Sequence, residues 1–136
     1  MLGKPADFAK RYADDGADEL LYIDTVASLY GRNQLENLIE ETSRNVFIPI
    51  SVSGAIRNVA DVRKALFFGA DKTCVNTHAI ADNGCIPRIR DSVGSQAIVV
   101  SIEAKRVNGG WEAYTHCGRN PSGKDAVKWA QEAASL

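Results

Sequence analysis

The sequence predicts an α/β fold in which single helices alternate with buried parallel strands. Apolar residues recur with helical spacing at 5–15, 33–44, 58–68, 79–91 and 122–135. Short apolar runs, suited to strands covered on both faces, lie at 19–24, 47–52, 72–76 and 97–103. One helix separates each strand from the next, and such a connection is long enough for the crossover that parallel strands need. We therefore expect one βα-repeat domain over residues 1–136.

Turn residues mark the boundaries of these elements. Gly16 and Gly69 follow predicted helices, where glycine ends a helix by taking a positive φ. Pro49 suits a strand start, and Asn58 suits the N-cap of the next helix.

A β-hairpin is predicted in "RVNGGWEAYTH", with Asn108-Gly109 as its turn. The sequence leaves open whether its Trp111 and Tyr114 cover apolar surface or form a lid.

An internal repeat accompanies this alternation. "DDGADELLYIDTVAS" (14–28) aligns with "FFGADKTCVNTHAI" (67–80), and "PISVSG" (49–54) aligns less well with "VVSIEA" (99–104). Two consecutive βα units are thus used twice. A polar residue stands at the end of each predicted strand: Asp24, Ser53, Asn76 and Glu103. In parallel α/β folds these ends form one rim, where ligands bind.

Composition excludes several classes of protein. Of the 136 residues, 45% are hydrophobic and 24% are charged. The 16 Lys and Arg and the 17 Asp and Glu residues give a net charge of −1. No basic block stands out, so nucleic acid and membrane surfaces are poor candidates as partners. The N-terminal segment is too polar for a signal peptide, and no apolar run approaches the roughly 20 residues that span a bilayer. We expect a cytoplasmic protein.

The cysteines and histidines show no metal-site spacing. Cys74, Cys85 and Cys117 form no C-x-x-C motif and no zinc pattern with His78 or His116. We expect reduced thiols, no metal and no cofactor. A catalytic thiol paired with one histidine stays open as an alternative.

The segment "ISVSGAI" (50–56) is a candidate anion site. Gly54 and Ala55 let an oxyanion approach the backbone closely, and a helix capped by Asn58 directs N–H groups toward an anion. An ordinary βα connection is the alternative reading of the same residues.

The segments "ADELLYIDTVASLYGRN", "ISVSGAI", "GADKTCVNTHAI" and "GSQAIVVSIEAKRVNGGWEAYTHCGRNPSGKDAVKWA" resemble the cyclase subunit of imidazole glycerol phosphate synthase, the HisF family, in order and spacing. The branch found in surface-polysaccharide gene clusters is the most similar. The resemblance implies a TIM-type (β/α)8 barrel, typically about 250 residues long. This chain matches its second to fifth strands, so we expect a self-contained (βα)4 half-barrel.

The resemblance implies a phosphate site in the third and fourth βα loops of the barrel. The matching residues here are Ser53, Gly54, Ala55, Asn76 and Thr77. Ala55 replaces a glycine of the family and adds a Cβ that narrows the pocket.

The family's two catalytic aspartates end strands one and five. The first strand is absent here, and Glu103 stands at the second position. Glutamate is one methylene longer, and a misplacement of about 1 Å can cost about a hundredfold in rate. Glu103 either acts as a base or pairs with Lys105 or another basic group at the rim. Asp24 is a candidate supporting carboxylate.

The resulting functional expectation is phosphate or phosphorylated-ligand binding, with cyclase activity weak or lost. Two alternatives stay open. One is an active cyclase or lyase on a phosphorylated sugar-derived substrate, with ammonia from a glutaminase partner. The other is a partner-binding module without catalysis.

Glu19 and Lys72 begin their strands and lie at the opposite face. The resemblance implies that they belong to a gate for ammonia, and a structural ion pair is the alternative.

Four barrel-type strands leave two open edges, and the inner faces of "LLYI" and "AIVVSI" would meet water. Two copies supply eight strands, so we expect a homodimer that closes the barrel.

Overall fold

The computed structural model describes residues 3–25, 35–54 and 56–136. Its first part alternates helices and strands: α1 (Pro5–Asp14), β1 (Leu20–Ile23), α2 (Leu35–Ser43), β2 (Ile50–Ser53), α3 (Val59–Phe67), β3 (Lys72–Val75), α4 (Thr77–Ala81), α5 (Cys85–Val93), a 3-10 turn (Ser95–Ala97) and β4 (Ile98–Val100). The second part consists of β5 (Glu103–Val107), β6 (Gly110–Thr115), β7 (Asn120–Asp125) and α6 (Ala126–Ser135).

The first four strands form one parallel sheet in the order β1-β2-β3-β4. Leu20 lies beside Ile50, and Thr73 lies between Val52 and Ile98. Sequential order with helical crossovers is the arrangement of one half of a (β/α)8 barrel. The predicted α/β half-barrel is confirmed. Strands β5, β6 and β7 form a separate antiparallel sheet.

Helices cover one face of the parallel sheet. Ile50 and Val52 point into a buried cluster with Ile39, and Val75 joins a second cluster with Ile89. Complete burial of one such side chain contributes about 1.5–3 kcal/mol to folding. Alternation along the strands sends the remaining side chains to the opposite face.

That opposite face is largely uncovered within the part of the chain that the structure describes. Leu21 and Ile23 are 54% and 59% exposed, and Val99 is 37% exposed. The inner faces of "LLYI" and "AIVVSI" therefore meet solvent, as the sequence predicted.

The predicted helix at 122–135 is wrong at its start. Residues Asn120–Asp125 form strand β7, which pairs with β6, and α6 begins only at Ala126. Pro121 and Gly123 disfavour a helix, and the Asp125 side chain caps α6 by accepting from the Lys128 N–H at 2.9 Å. Pairing with β6 thus overrides the apolar spacing.

Two other boundaries also differ from the prediction. The predicted helix at 79–91 is broken into α4 and α5, because the Asp82 carboxylate accepts the Gly84 N–H and binds Arg88. The predicted strand at 97–103 ends at Val100, and Glu103 begins β5.

The predicted turn residues are confirmed. Gly16 and Gly69, which follow the C-terminal ends of α1 and α3, have φ values of 94° and 109°. Asn58 caps α3 by accepting the Asp61 N–H at 3.0 Å. Asn108 and Gly109 have φ values of 50° and 82°, the left-handed pair that a two-residue hairpin turn needs.

Candidate functional site

A cavity of about 430 Å³ opens at the carboxyl ends of the parallel strands. The sequence-predicted residues that line it are Asp24, Ser53, Gly54, Asn76, Thr77 and Glu103. Ala55 lies outside the described residues. Groups from all four consecutive βα units are therefore brought to one place, as the rim prediction requires.

Gly54 allows the ends of β1 and β2 to approach each other. It has a φ of 125°, and a Cβ added there would lie 2.7 Å from the Asp24 carbonyl oxygen. The Asp24 N–H donates to the Ser53 carbonyl at 2.8 Å. The glycine is thus required for packing, and it leaves bare backbone at the cavity wall.

Asn76 and Thr77 are held by the end of strand β6. The Asn76 amide donates to the Tyr114 carbonyl at 3.2 Å, which fixes its orientation. The Thr77 hydroxyl oxygen accepts the His116 N–H at 3.0 Å. Among the described residues, the buried side-chain oxygen Oδ1 of Asn76 has no hydrogen-bond partner.

Glu103 contacts the turn between β6 and β7. Its carboxylate accepts the Gly118 N–H at 2.6 Å, and Lys105 donates to the Gly118 carbonyl. Within the described ranges the two side chains thus bind the same residue rather than each other. The proposed Glu103–Lys105 pair is not formed.

The β6–β7 turn adds two residues to the cavity that the sequence offered only as candidates for a thiol–histidine pair. His116 and Cys117 line the cavity, whereas Trp111, for which the sequence left open an apolar cover or a lid, is 47% exposed beneath the Arg106 guanidinium. Gly118 and Asn120 are turn-forming residues and could have revealed the turn. Its position over the cavity follows only from how β6 pairs.

Two further side chains with N–H donors lie outside the predicted site. Arg57 and His78 line the cavity beside Gly54 and Thr77. Some of the backbone N–H groups that the sequence predicts to face an anion at the start of α3 already have partners. Asp61 accepts the Arg57 N–H at 2.9 Å, and Asn58 caps α3 by accepting the Asp61 N–H.

The geometry does not favour an activated thiol at Cys74. Burial raises the pKa of the Cys74 thiol, the reverse of what a nucleophile needs. Cys117 donates its thiol to the Thr25 carbonyl at 3.3 Å, and the His116 Nδ1 lies 3.0 Å from the Thr115 hydroxyl.

Glu19 and Lys72 form an ion pair at the opposite end of the sheet. The Lys72 ammonium lies 2.9 and 3.1 Å from the two carboxylate oxygens, and the Ser51 hydroxyl donates to Glu19 at 2.5 Å. These hydrogen bonds, first from Ser51 and then from Lys72, hold the pKa of Glu19 below its usual range.

Within the described ranges, no helix combines the length and the apolar character that a membrane crossing requires.

Comparisons with known proteins agree with this architecture. A family model described as "Histidine biosynthesis protein" matches residues 1–136. "Imidazole glycerol phosphate synthase subunit HisF" from Legionella pneumophila is 51% identical over 132 residues, which cover 96% of this chain and 62% of that protein. The protein of the same name from Dehalococcoides mccartyi is 43% identical over 134 residues, covering 98% and 53%.

The chain therefore spans only 53–62% of the length of these curated relatives. The match runs through both the strands and the turns that line the cavity, because it extends over nearly the whole chain. The chain belongs to the histidine biosynthesis protein family and is HisF-like over the part of its relatives that it spans.

Proposed function

We propose that this chain binds a phosphorylated small molecule in the cavity at the carboxyl ends of β1 to β4, as part of a HisF-like barrel. The observation that carries the proposal is the cavity itself, about 430 Å³ lined by polar side chains from four successive βα units. Ligands of parallel α/β folds bind at this edge of the sheet.

The distribution of charge across the cavity supports this proposal. The two central units contribute hydrogen-bond donors, which are the Thr77 hydroxyl, the backbone at Gly54 and the His78 side chain, and one cation, the Arg57 guanidinium. Arginine is permanently charged and suits phosphate, which it can bind through two N–H groups.

The carboxylates lie on the two outer units, at Asp24 and Glu103. We therefore place the phosphate between β2 and β3, and the uncharged part of the ligand toward the carboxylates.

Titration of the isotope-labelled chain with inorganic phosphate tests the site. We expect concerted chemical-shift changes at the backbone amides of Gly54, Asn76 and Thr77, with chloride at equal ionic strength as the control. Thr77→Val should weaken binding several-fold, and Thr77→Ser should retain it, because serine keeps the hydroxyl. Unchanged shifts at millimolar phosphate would contradict the proposal.

We propose further that cyclase activity of this chain is weak or lost. Glu103, at the position matched to a catalytic aspartate, is one methylene longer and already accepts the Gly118 N–H. With ammonia and a phosphoribosyl imidazole-type substrate, we expect a rate at least about a hundredfold below that of a HisF relative. A comparable rate would instead favour an active cyclase with Glu103 and Asp24 as base and acid.

The Glu19–Lys72 pair supports a second candidate function, that of a chain fed with ammonia by a glutaminase. The relatives are named as subunits, and the pair lies at the end of the strands opposite the cavity. Co-sedimentation with a glutaminase subunit tests this partner. Loss of the complex in Lys72→Met, with Lys10→Met as the control, is the expected result.

We propose a second copy of the chain as the cover of the open sheet face. Apolar grooves of about 370 and 500 Å³ flank the two edges, the first lined by Leu20 and Leu21 and the second by Ile98 and Val100. A two-fold axis sets the β1 edge of each copy against the β4 edge of the other and gives eight strands.

A further inference from the structure

We propose that Glu103 is a positioning residue: acting through the β6–β7 turn, it holds the Thr77 hydroxyl as a hydrogen-bond donor to the oxyanion in the cavity. The inference rests on the proposed phosphate site and assigns Glu103 a role other than that of a base.

The β6–β7 turn has an unusual backbone that needs external support. His116, Cys117 and Gly118 follow one another with φ values of 54°, 58° and 71°. Two of the three carry side chains, which disfavour this left-handed region. Such a conformation persists where surrounding contacts impose it.

The contacts that hold the turn come from the rim of the cavity. The Gly118 N–H donates to the Glu103 carboxylate at 2.6 Å, and the His116 N–H donates to the Thr77 hydroxyl oxygen at 3.0 Å. The shorter of the two bonds involves a charged acceptor, which makes it the stronger. Glu103 is therefore the stronger of these two anchors, and it holds Gly118 together with the Lys105 ammonium, which donates to the Gly118 carbonyl.

The direction of the second bond decides what Thr77 can do. A hydroxyl has one hydrogen and two acceptor lone pairs. Because Thr77 Oγ1 accepts from His116, its hydrogen is left to donate elsewhere, and Thr77 lines the cavity. The turn thus presents the hydroxyl to an oxyanion as a donor.

Two substitutions of Glu103 separate this role from simple electrostatics. Removal of a carboxylate from the cavity should by charge alone strengthen binding of an anion. Both Glu103→Gln and Glu103→Ala remove the charge, but only glutamine keeps an acceptor for the Gly118 N–H. A difference between the two variants therefore measures the hydrogen bond to the turn.

The test compares the Kd for inorganic phosphate of the two variants of the full chain. We expect Glu103→Gln to bind at least as tightly as wild type and Glu103→Ala to bind at least fivefold more weakly than Glu103→Gln. In a Thr77→Val background the two variants should have equal Kd values, because Glu103 acts through that hydroxyl. Equal Kd values in the wild-type background would overturn the proposal.

Glu112 offers a matched control. Its carboxylate accepts the Gly123 N–H at 2.8 Å within the same antiparallel sheet, and Glu112 is not among the residues that line the cavity. Glu112→Gln and Glu112→Ala should both bind phosphate as wild type does. A fivefold loss in Glu112→Ala would assign the effect to general loosening of the sheet and overturn the proposal.

Hydrogen exchange of the His116 amide gives an independent readout without ligand. We expect at least tenfold faster exchange in Glu103→Ala and unchanged exchange in Glu103→Gln. If wild type binds no phosphate, the proposed function fails, and this measurement still decides whether Glu103 holds the turn. Equal exchange in both variants would overturn the positioning role.

Discussion

Single residues at the rim combine packing with exposure of backbone to the cavity. Gly54 meets both demands, because only a residue without Cβ tolerates its φ of 125° and its contact with the Asp24 carbonyl. The two readings of "ISVSGAI", anion site and ordinary connection, are therefore not exclusive. The glycine that follows β2 and lets its end approach that of β1 also exposes backbone at the cavity wall.

Gly54→Ala should lower the free energy of unfolding by at least about 2 kcal/mol, because strain and a clash add together. The added Cβ would lie 2.7 Å from the Asp24 oxygen. Gly16→Ala is the control: its φ is 94°, but nothing lies within 4 Å of the added Cβ. It should cost about 1 kcal/mol. Urea unfolding measures both, and equal losses would contradict the steric argument.

The Glu19 carboxylate should make stability depend on pH. Hydrogen bonds from Ser51 and Lys72 lower its pKa in the folded chain, so the ionised form is favoured by folding. The stabilisation is present above the unfolded-state pKa and is lost as the pH falls through the folded-state pKa. Glu19→Gln should therefore flatten the acid limb of a plot of thermal midpoint against pH. An unchanged acid limb would show that the Glu19–Lys72 pair contributes nothing to stability.

At the scale of elements, pairing and capping decide where helices and strands end. The spacing of apolar residues at 122–135 resembles a helix, but residues 120–125 pair with β6 instead. The Asp125 side chain then starts α6, where Ala126 and Trp129 are buried against Ala113 of β6. Apolar periodicity describes a single segment, whereas the assignment of residues 120–125 depends on their pairing with the preceding strand β6.

Asp125→Ala should destabilise the chain by about 1 kcal/mol, because the Lys128 N–H loses its cap. Asp125→Asn keeps an acceptor oxygen and should stay near wild type. Thermal unfolding followed by circular dichroism distinguishes them. If asparagine and alanine destabilise equally, the cap is not what starts α6.

At the scale of the whole molecule, the parallel sheet is covered on one face only within the described residues. Leu21 and Ile23 are more than half exposed there, although both belong to a strand predicted to be buried. Exposed apolar sheet faces with open edges associate with other chains. This is the physical basis for the proposed homodimer.

The 136-residue chain should sediment as a dimer at micromolar concentration, with an unfolding midpoint that rises with protein concentration. Leu21→Lys should shift it to monomer, because a charge would be buried between copies. Val127→Lys is the control, since Val127 is 57% exposed on α6. A wild-type monomer would contradict the closed barrel.

Local sequence patterns were enough to predict the α/β class, the four βα units, the caps at Asn58 and Gly69, the Asn108-Gly109 turn and the polar rim. These features depend on local chemistry: apolar period, glycine conformation and turn propensity. Membership of the HisF family followed from long matching segments. The surface-polysaccharide branch and the homodimer stay predictions.

The end of β4, the start of β7 and the place of the β6–β7 turn over the cavity became clear only in the folded chain. Each depends on how segments pair as strands, and apolar periodicity does not specify that pairing. Glu103 illustrates the difference. Its rim position was readable from the sequence, but its bond to Gly118, fifteen residues away, arises only when β5, β6 and β7 pair.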